Sequence, residues 1–281
     1  MPERADEVVG IVGLGAVGGS LALSLDGRLP AIAWSRDRRD RDAARHAGID
    51  VRGDDTSWGR AMDDATIIVI AVPLDAIAPV ARELRPQVRD DVLMLHTGSL
   101  QRREALSFTH AEFTRVIGTH PMAGSERSGF AAARADMFRG ATVRAEDRAS
   151  ELERERIERL WREAGCTRVV WNNSAAHDAL MGRVSHVPQL LAAALGAALG
   201  DLGVRHDDLG PGARDMTRLA SSDPSMWLPL LAQAPPETVD GIRRLTNTLA
   251  ELVDAIERRD TSTIAKLLER GRAWRDGDNP S

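Results

Sequence analysis

The chain has 281 residues, of which 43% are apolar and 28% charged, and its formal net charge is −5 at pH 7. This length suffices for two ordinary domains, and the composition is typical of a globular protein rather than a disordered one. The negative net charge disfavours nucleic acid and anionic membranes as partners. The one cysteine, Cys166, excludes an internal disulfide and a cysteine-based zinc site, and Lys266 is the only lysine.

The N-terminus lacks the apolar core of a signal peptide. The most apolar long stretch, 190–199, has about half of the ~20 residues that a bilayer span requires. We therefore expect a cytoplasmic enzyme with no membrane partner and no metal site.

The first part of the chain alternates apolar runs with helical patterns. Predicted strands cover 8–12, 31–34, 66–72, 92–95 and 114–118, and predicted helices cover 19–25, a stretch ending at 44–48, and 74–84. The apolar runs suit strands buried on both faces of a parallel sheet, and the alternation indicates βαβ units. The pattern continues to about Trp171, so we expect an α/β Rossmann-type dinucleotide-binding domain over 1–172.

The strand signal disappears from Ser174 onwards. Residues 174–202 are rich in Ala and Leu and predict one long helix, or two helices joined at Pro188; further helices are predicted over 224–233, 238–259 and 261–274. The dense apolar residues of 174–202 indicate burial on more than one side. We therefore expect an all-α domain over 173–281 and infer that a second subunit packs against its long helix.

A glycine pattern, Gly13-x-Gly15-x-x-Gly18, lies between the first strand and the first helix. The first glycine permits a tight turn, the second lets the backbone approach a pyrophosphate, and the third lets the helix pack closely against the strand. Free N–H groups at the helix start favour phosphate. The alternative is a glycine-rich turn without a ligand. The predicted cofactor-binding residues are Gly13, Gly15, Ala16, Val17, Gly18, Ser35, Arg36, Val72 and Pro73.

The end of the second strand bears on the choice of cofactor. NAD sites usually carry an acidic residue about 20 positions after the first glycine, where it binds the ribose 2′-hydroxyl. Here that position is occupied by Ser35, which is followed by Arg36. A hydroxyl and a guanidinium can hold a 2′-phosphate, so we predict NADP in preference to NAD. Alternatively, Asp37 takes the acidic role and Arg36 is a solvated loop residue.

Polar segments follow two further strands, at the sheet edge where open parallel sheets bind ligands. The first is His96-Thr97-Gly98-Ser99, and the second is the run GTHPMAGSE over 118–126. Two more polar segments, SHVP over 185–188 and DMTR over 215–218, lie in the predicted helical domain.

With these motifs the chain resembles the prephenate/arogenate dehydrogenase family of tyrosine biosynthesis over nearly its whole length. The resemblance rests on GLGAVGGSLA near residue 13, GTHPMAGSE at 118, SHVPQLLAAAL at 185 and DMTRLASSDPSMW at 215. It implies a Rossmann domain followed by a helical dimerisation domain, with the active site in the cleft between them. The implied reaction is the oxidative decarboxylation of a cyclohexadienol to a phenol.

The resemblance also implies roles for individual residues. His120 would act as the general base on the substrate hydroxyl, and Ser99 would hydrogen-bond the same oxygen or orient His120. Arg218 and His186 would bind the substrate carboxylates. Glu126, Ser125 and Asp215 are further predicted substrate-binding residues, although Asp215 could equally cap a helix.

Some features depart from the family pattern or leave alternatives open. The family often has Asp where this chain has His96. We interpret the histidines at 46, 110, 177 and 206 as structural or solvated residues. A second hypothesis is a β-hydroxyacid dehydrogenase or imine reductase, but no lysine lies within 174–202 for the hydroxyacid mechanism. A third is a redox-sensing or structural protein that binds NADP without turnover.

Overall fold

The computed structural model describes residues 7–53, 60–125 and 127–277. Within these ranges the chain forms a sheet of seven strands with helices on both faces, and it then continues as helices alone. The predicted fold class, a Rossmann-type domain followed by an all-α region, is confirmed.

Seven short strands make up the sheet. They are β1 (Val9–Val12), β2 (Ala31–Trp34), β3 (Ile67–Ile70), β4 (Leu93–His96), β5 (Val116–Pro121), β6 (Thr142–Glu146) and β7 (Arg168–Asn172). Their spatial order is β2-β1-β3-β4-β5-β6-β7, and every neighbouring pair is parallel except β5 and β6. The first five strands therefore end at one edge of the sheet, which is where ligands bind in open sheets of this kind.

Helices cover both faces of the sheet and bury an apolar layer on each. Those of the sheet region are α1 (Ala16–Leu25), α2 (Arg38–His46), α3 (Leu74–Leu84), α4 (His110–Phe113) and α5 (Glu151–Glu163). On one face Trp161 of α5 packs edge-to-face on Phe138, with 5.5 Å between ring centroids, in the layer that also contains Leu21 of α1. On the other face Ile77 of α3 is buried with Ile70 of β3.

The last two strands were not predicted from the sequence. β6 alternates inward apolar and half-buried polar residues, and β7 is largely half-buried at the sheet edge, so neither shows the continuous apolar run of the inner strands. β6 runs antiparallel to β5, and Thr119 lies opposite Ala145. This reversal joins two strands to the edge of an otherwise parallel sheet.

The predicted long helix is a helical path with a change of winding in its middle. It comprises α6 (Ser174–Met181), a π-helical turn (Gly182–His186) and α7 (Val187–Asp201). Val187 N–H bonds the carbonyl of Gly182, five residues back. Pro188 has no N–H to donate to the carbonyl four residues before it, and such positions favour kinks or wider turns. The helical path is therefore continuous, as in a single long helix, but its winding changes just before Pro188, where the sequence also allowed a junction of two helices.

The remaining helices are α8 (Pro211–Thr217), which the sequence reading missed, α9 (Pro224–Ala232), α10 (Pro236–Glu257) and α11 (Thr261–Asp276). In the single chain the buried residues of α7 are Gln189 and Ala192. The preceding part of the helical path buries His177, Asp178, Met181, Gly182 and His186. Burial of the remaining apolar residues of 174–202 by a second subunit stays a prediction. Large apolar side chains are exposed in this region at Leu228, Leu249, Val253, Ile256, Leu268 and Trp274. In the described ranges, no helix has the length and apolar character needed to cross a membrane.

Candidate active site

The turn after β1 has the shape that a dinucleotide phosphate requires. Gly13 has a φ of +100°, and a Cβ placed on it would lie 2.4 Å from the carbonyl oxygen of Ala71. A Cβ on Gly18 would lie 1.9 Å from the carbonyl oxygen of Gly13, whereas a Cβ on Gly15 would meet open space. The first and third glycines are thus required by packing, and the second leaves room for a ligand against the backbone.

The start of α1 is left open to an anion. Gly15 is the N-cap residue without a side-chain cap, and the first turn, which contains Ala16 and Val17, has no acidic residue. Its N–H groups and the positive end of the helix dipole therefore remain available for phosphate. The side chain of Val72 lies beside Gly13, and Pro73 follows as the N-cap residue of α3. These residues fit a dinucleotide.

Ser35 lies buried at the end of β2, where it shapes the following turn. Its hydroxyl accepts the N–H of Asp37 at 3.3 Å, and its carbonyl accepts the Arg41 guanidinium at 2.6 Å. Asp37 is the N-cap of α2 and accepts the N–H of Arg39 at 2.8 Å. Arg36 is exposed at the same edge. One oxygen of the exposed Asp37 carboxylate therefore caps the start of α2, and the exposed Arg36 lies between Ser35 and this cap in the sequence.

His96 ends β4 and is completely buried. Its Nδ1 accepts the N–H of Gly98 at 3.1 Å, and its Nε2 is buried without a hydrogen-bond partner among the described residues. Burial lowers the pKa of His96 from 6.5 to about 4, so the ring is neutral near pH 7. Ser99 follows, half-buried, and makes no hydrogen bond to His120 in the part of the chain that the structure describes. The hydrogen bond from Gly98 thus ties His96 to the loop that contains Ser99.

His120 lies half-buried near the end of β5, where its ring meets the start of the helical region. Its Nδ1 is 3.1 Å from Nε2 of His177 in α6, and the rings are edge-to-face with centroids 5.2 Å apart. Burial, followed by the imidazoles of His177 and His96, lowers the pKa of His120 from 6.5 to about 3. The imidazole is therefore neutral at physiological pH, and one of its two ring nitrogens carries a free lone pair.

The Asp178 carboxylate stands behind His177 and joins the two parts of the molecule. His177 Nδ1 lies 2.8 Å from Asp178, which also accepts the backbone N–H groups of Gln101 and Arg102 at 2.8 and 3.0 Å. The Arg102 side chain adds an ion pair at 3.1 Å. Burial raises the pKa of Asp178, but the hydrogen bonds from His177, Gln101 and Arg102 outweigh it and leave the pKa below its ordinary value.

The sequence analysis treated His177 as structural or solvated and did not single out Asp178, whereas the structure places both behind His120. A His-Asp pair at the start of an apolar helix was the available signal. The pairing with His120 depends on a contact between residues 57 positions apart, which the sequence alone does not reveal.

His186 lies in the π-helical turn and is buried. Its Nδ1 is 3.1 Å from the hydroxyl of Thr238 in α10, and its ring is edge-to-face with Trp227 at 5.9 Å. Burial lowers its pKa below the ordinary value. Thr238 and Trp227 thus fix the orientation of the His186 ring.

Arg218 and Asp215 lie exposed at the junction of α8 and the turn that follows it. This turn is tied to α7 because the Gln189 side chain donates to the carbonyl of Leu219 at 2.9 Å. Gln189 is one helical turn beyond His186, so Arg218 lies on a segment attached close to that histidine. The structure gives no hydrogen bond or ion pair between Arg218 and His120 among the described residues.

The loop after β5 carries the remaining predicted residues. Ser125 is half-buried, and its hydroxyl accepts the N–H of Arg127 at 3.0 Å. Glu126 lies outside the described residues.

The glycine turn and the imidazole at the same sheet edge, beside a helical region, define a two-domain dehydrogenase of the Rossmann type. A family model described as the nucleotide-binding domain of prephenate dehydrogenase matches residues 24–169, and one described as its dimerization domain matches residues 173–270. The chain therefore belongs to the prephenate dehydrogenase family, and the predicted resemblance is confirmed.

Individual proteins are similar to this chain in sequence or in fold. The chain is 29% identical to a prephenate dehydrogenase of Lactococcus lactis over 94% of its own length and 75% of that protein. Its fold is similar to that of A. aeolicus prephenate dehydrogenase, solved with hydroxyphenyl propionate and NAD+ (TM-score 0.85, 24% identity, 99% and 100% of the two chains). It is also similar to Synechocystis arogenate dehydrogenase (TM-score 0.77, 21% identity, 96% and 99%).

Family membership establishes the reaction class. The chain is an oxidoreductase that carries out nicotinamide-dependent oxidative decarboxylation in tyrosine biosynthesis. Its nucleotide-binding domain takes a nicotinamide dinucleotide.

Proposed function

We propose that the chain oxidises prephenate, arogenate or both, with His120 as the general base. The observation that carries this proposal is the contact between His120 Nδ1 and His177 Nε2 at 3.1 Å. Because His177 uses its other nitrogen toward Asp178, this contact leaves Nε2 of His120 without a proton and ready to receive one. The base stands at the carboxyl edge of the sheet, as ligand binding in this fold requires.

The reaction divides between the cofactor and the side chains. A bound nicotinamide supplies the hydride acceptor. His120 Nε2 takes the proton of the ring hydroxyl, and the half-buried Ser99 hydrogen-bonds the same oxygen. Departure of carbon dioxide from the opposite ring carbon completes an aromatic ring and supplies most of the driving force. The protein therefore contributes alignment and electrostatic stabilisation without forming a covalent intermediate.

The helical domain provides the groups for the substrate carboxylates. We assign the exposed Arg218 guanidinium to one of them, where it can bind bidentately, and His186 to substrate binding beside it. The attachment of the Arg218 turn to α7 through Gln189 supports this pairing. Ser125, Glu126 and Asp215 complete the proposed pocket.

The cofactor that we propose is NADP in preference to NAD. The proposal is supported by Ser35 and the exposed Arg36, which follow β2 at the position that contacts the ribose 2′ group in this fold, and by Asp37, which caps α2 through one carboxylate oxygen. Titration of both cofactors, monitored by fluorescence, tests this. We expect tighter binding of NADP and a loss of that preference in Arg36→Ala, with Arg45→Ala as an exposed control. A lower dissociation constant for NAD in the wild type would contradict the assignment.

We further propose a cytoplasmic homodimer that assembles through the helical domain over 173–281, with the nucleotide domain over 1–172. The exposed apolar side chains of α10 and α11, among them Val253 and Leu268, support a covered face, and the matched family model is described as a dimerization domain. Light scattering at micromolar concentration should give twice the 30.5 kDa chain mass. A monomer would contradict the proposal.

One experiment separates the proposed activity from the alternatives. Absorbance at ~340 nm is followed with prephenate, with arogenate and with a panel of hydroxyacids, each with both cofactors. We expect turnover with prephenate or arogenate. Turnover confined to hydroxyacids would indicate the β-hydroxyacid class, and cofactor binding without any turnover would indicate a sensor.

A further inference from the structure

Three side chains form a continuous hydrogen-bonded chain that ends at the proposed base. Asp178 contacts Nδ1 of His177 at 2.8 Å, and Nε2 of His177 contacts Nδ1 of His120 at 3.1 Å. The side chains of His177 and Asp178 are completely buried, while His120 is half-buried. Only the last member of the chain is therefore accessible to a substrate.

The Asp178 carboxylate determines which group donates in each of these two hydrogen bonds. Asp178 accepts two backbone N–H groups and the Arg102 side chain, a set of donors that is compatible only with an ionised carboxylate. His177 must then carry its proton on Nδ1, which makes its Nε2 an acceptor. His120 must consequently donate from Nδ1, and its Nε2 holds a free lone pair.

The position of α6 is also fixed by contacts other than the hydrogen bonds among Asp178, His177 and His120. Asn173 caps the helix by accepting the N–H of Ala176 at 2.8 Å, and the Ser174 hydroxyl donates to buried Glu146 at 2.5 Å. The same Glu146 accepts the N–H of Gly118, two residues before His120. The Glu146 carboxylate thus binds both the strand that carries His120 and the helix that carries His177, and the fold itself fixes the contact between the two rings.

We infer that His177 and Asp178 are positioning residues: His177 holds His120 in the Nδ1–H tautomer, and the Asp178 carboxylate behind it offsets the positive charge that His120 acquires during the reaction. In the step, the substrate O–H bond breaks and its proton joins Nε2 of His120. The Nδ1–H proton of His120 stays directed at His177, and the positive charge is stabilised by the Asp178 carboxylate through His177. This inference rests on the proposed role of His120.

Two substitutions at His177 test whether His120 Nδ1 requires a hydrogen-bond acceptor at this position. His177→Asn keeps a short amide that can reach Asp178 but removes the acceptor for His120. His177→Gln is longer and presents a carbonyl oxygen toward His120 Nδ1. We expect kcat to fall about a hundredfold in His177→Asn, within the range that a general base contributes, with partial recovery in His177→Gln. KM should change little, because His177 does not touch the substrate.

The protein offers a matched control in His206, which is also followed by aspartate but whose side chain is exposed. His206→Asn should keep the wild-type kcat. Thermal unfolding of each variant shows whether it is folded. An unchanged kcat in His177→Asn, or a raised KM at constant kcat, would overturn the inference.

A spectroscopic measurement tests the tautomer without any turnover. In ¹⁵N-histidine-labelled protein, the two ring nitrogens of His120 are assigned by comparison with His120→Asn. We expect a protonated Nδ1 and an unprotonated Nε2 in the wild type, and a changed or mixed tautomer in His177→Asn. A tautomer that is the same in both proteins would overturn the inference. A wild type that shows the expected tautomer but no turnover would instead contradict the proposed function.

Discussion

At the scale of single residues, the site depends on how burial changes the chemistry of histidine. His96, His120 and His186 all have pKa values lowered by burial, yet their hydrogen-bond partners differ. The His96 ring accepts a backbone N–H, the His186 ring is within hydrogen-bond distance of a hydroxyl, and the His120 ring is within hydrogen-bond distance of a second imidazole. Only His120 combines a half-exposed position with a partner that leaves its outer nitrogen free, and this distinguishes it as the proposed base.

We expect His120→Asn to lose turnover by about 10²–10⁴-fold, the contribution of a general base, while cofactor affinity stays near the wild-type value. Asparagine retains polarity at the position but supplies no basic nitrogen. Steady-state kinetics and a cofactor titration measure the two quantities. Near-normal turnover would remove His120 from the role.

We expect Arg218→Ala to raise KM about 10- to 100-fold with a smaller effect on kcat. A hydrogen bond to a charged group contributes about 1.5–3 kcal/mol, which corresponds to that range of affinity. Arg214→Ala provides a control on the adjacent helix α8, since Arg214 is likewise exposed. Equal KM values in all three proteins would contradict the assignment.

At the scale of elements, the strand–turn–helix unit of β1 and α1 separates packing from ligand binding. Gly18 is enclosed by the backbone of Gly13, whereas Gly15 faces open space. The same residue type therefore serves two different purposes three positions apart.

This difference predicts opposite outcomes for two alanine substitutions. Gly18→Ala should lower the free energy of unfolding by about 1–3 kcal/mol, as overpacking does. Gly15→Ala should leave stability nearly unchanged but weaken cofactor binding, because its methyl group occupies the space beside the phosphate. Denaturant unfolding and cofactor titration of both variants check this; a stable Gly18→Ala with normal binding would be inconsistent with the packing described.

The helical path through His186 is a second element with a functional consequence. The π-helical turn at Gly182–His186 adds one residue to the winding just before α7, and Gly182 packs directly against Thr238. Because that close approach also places the Thr238 hydroxyl beside His186, the irregular winding and the orientation of the ring are linked. Irregular turns of this kind are frequent at functional sites.

At the scale of the whole molecule, buried neutral histidines make stability depend on pH. The pKa of His96 is about 4 in the folded chain and 6.5 when unperturbed, so the unfolded state binds more protons between these values. The contribution of neutral His96 to the free energy of unfolding is therefore fully present above about pH 6.5, and it is lost as the pH falls toward 4. At about 1.4 kcal/mol per unit, the loss is on the order of 3 kcal/mol.

Measuring Tm across this pH range tests the relation. We expect His96→Asn to flatten the decline and His206→Asn, an exposed histidine, to leave it unchanged. The same slope in wild type and His96→Asn would show that other groups dominate acid sensitivity.

The sequence by itself determined the class of fold, the glycine turn and the family. These rest on local patterns: apolar runs such as that of β3, glycines at fixed spacing, and contiguous motifs around His120 and Arg218. Helix α3 was predicted at its observed bounds for the same reason. The weakly patterned strands β6 and β7 and the short helix α8 escaped prediction because their local signal is small.

Only the tertiary structure decided which groups meet. The sequence reading offered Ser99 as a partner for His120, whereas the fold brings His177 to it from another domain and ties Asp178 to the loop after β4. Such contacts join residues that are distant along the chain, and they are fixed by the packing of α6 against the sheet edge through Glu146. No local pattern encodes that packing, because it results from the sum of many weak interactions over the whole core.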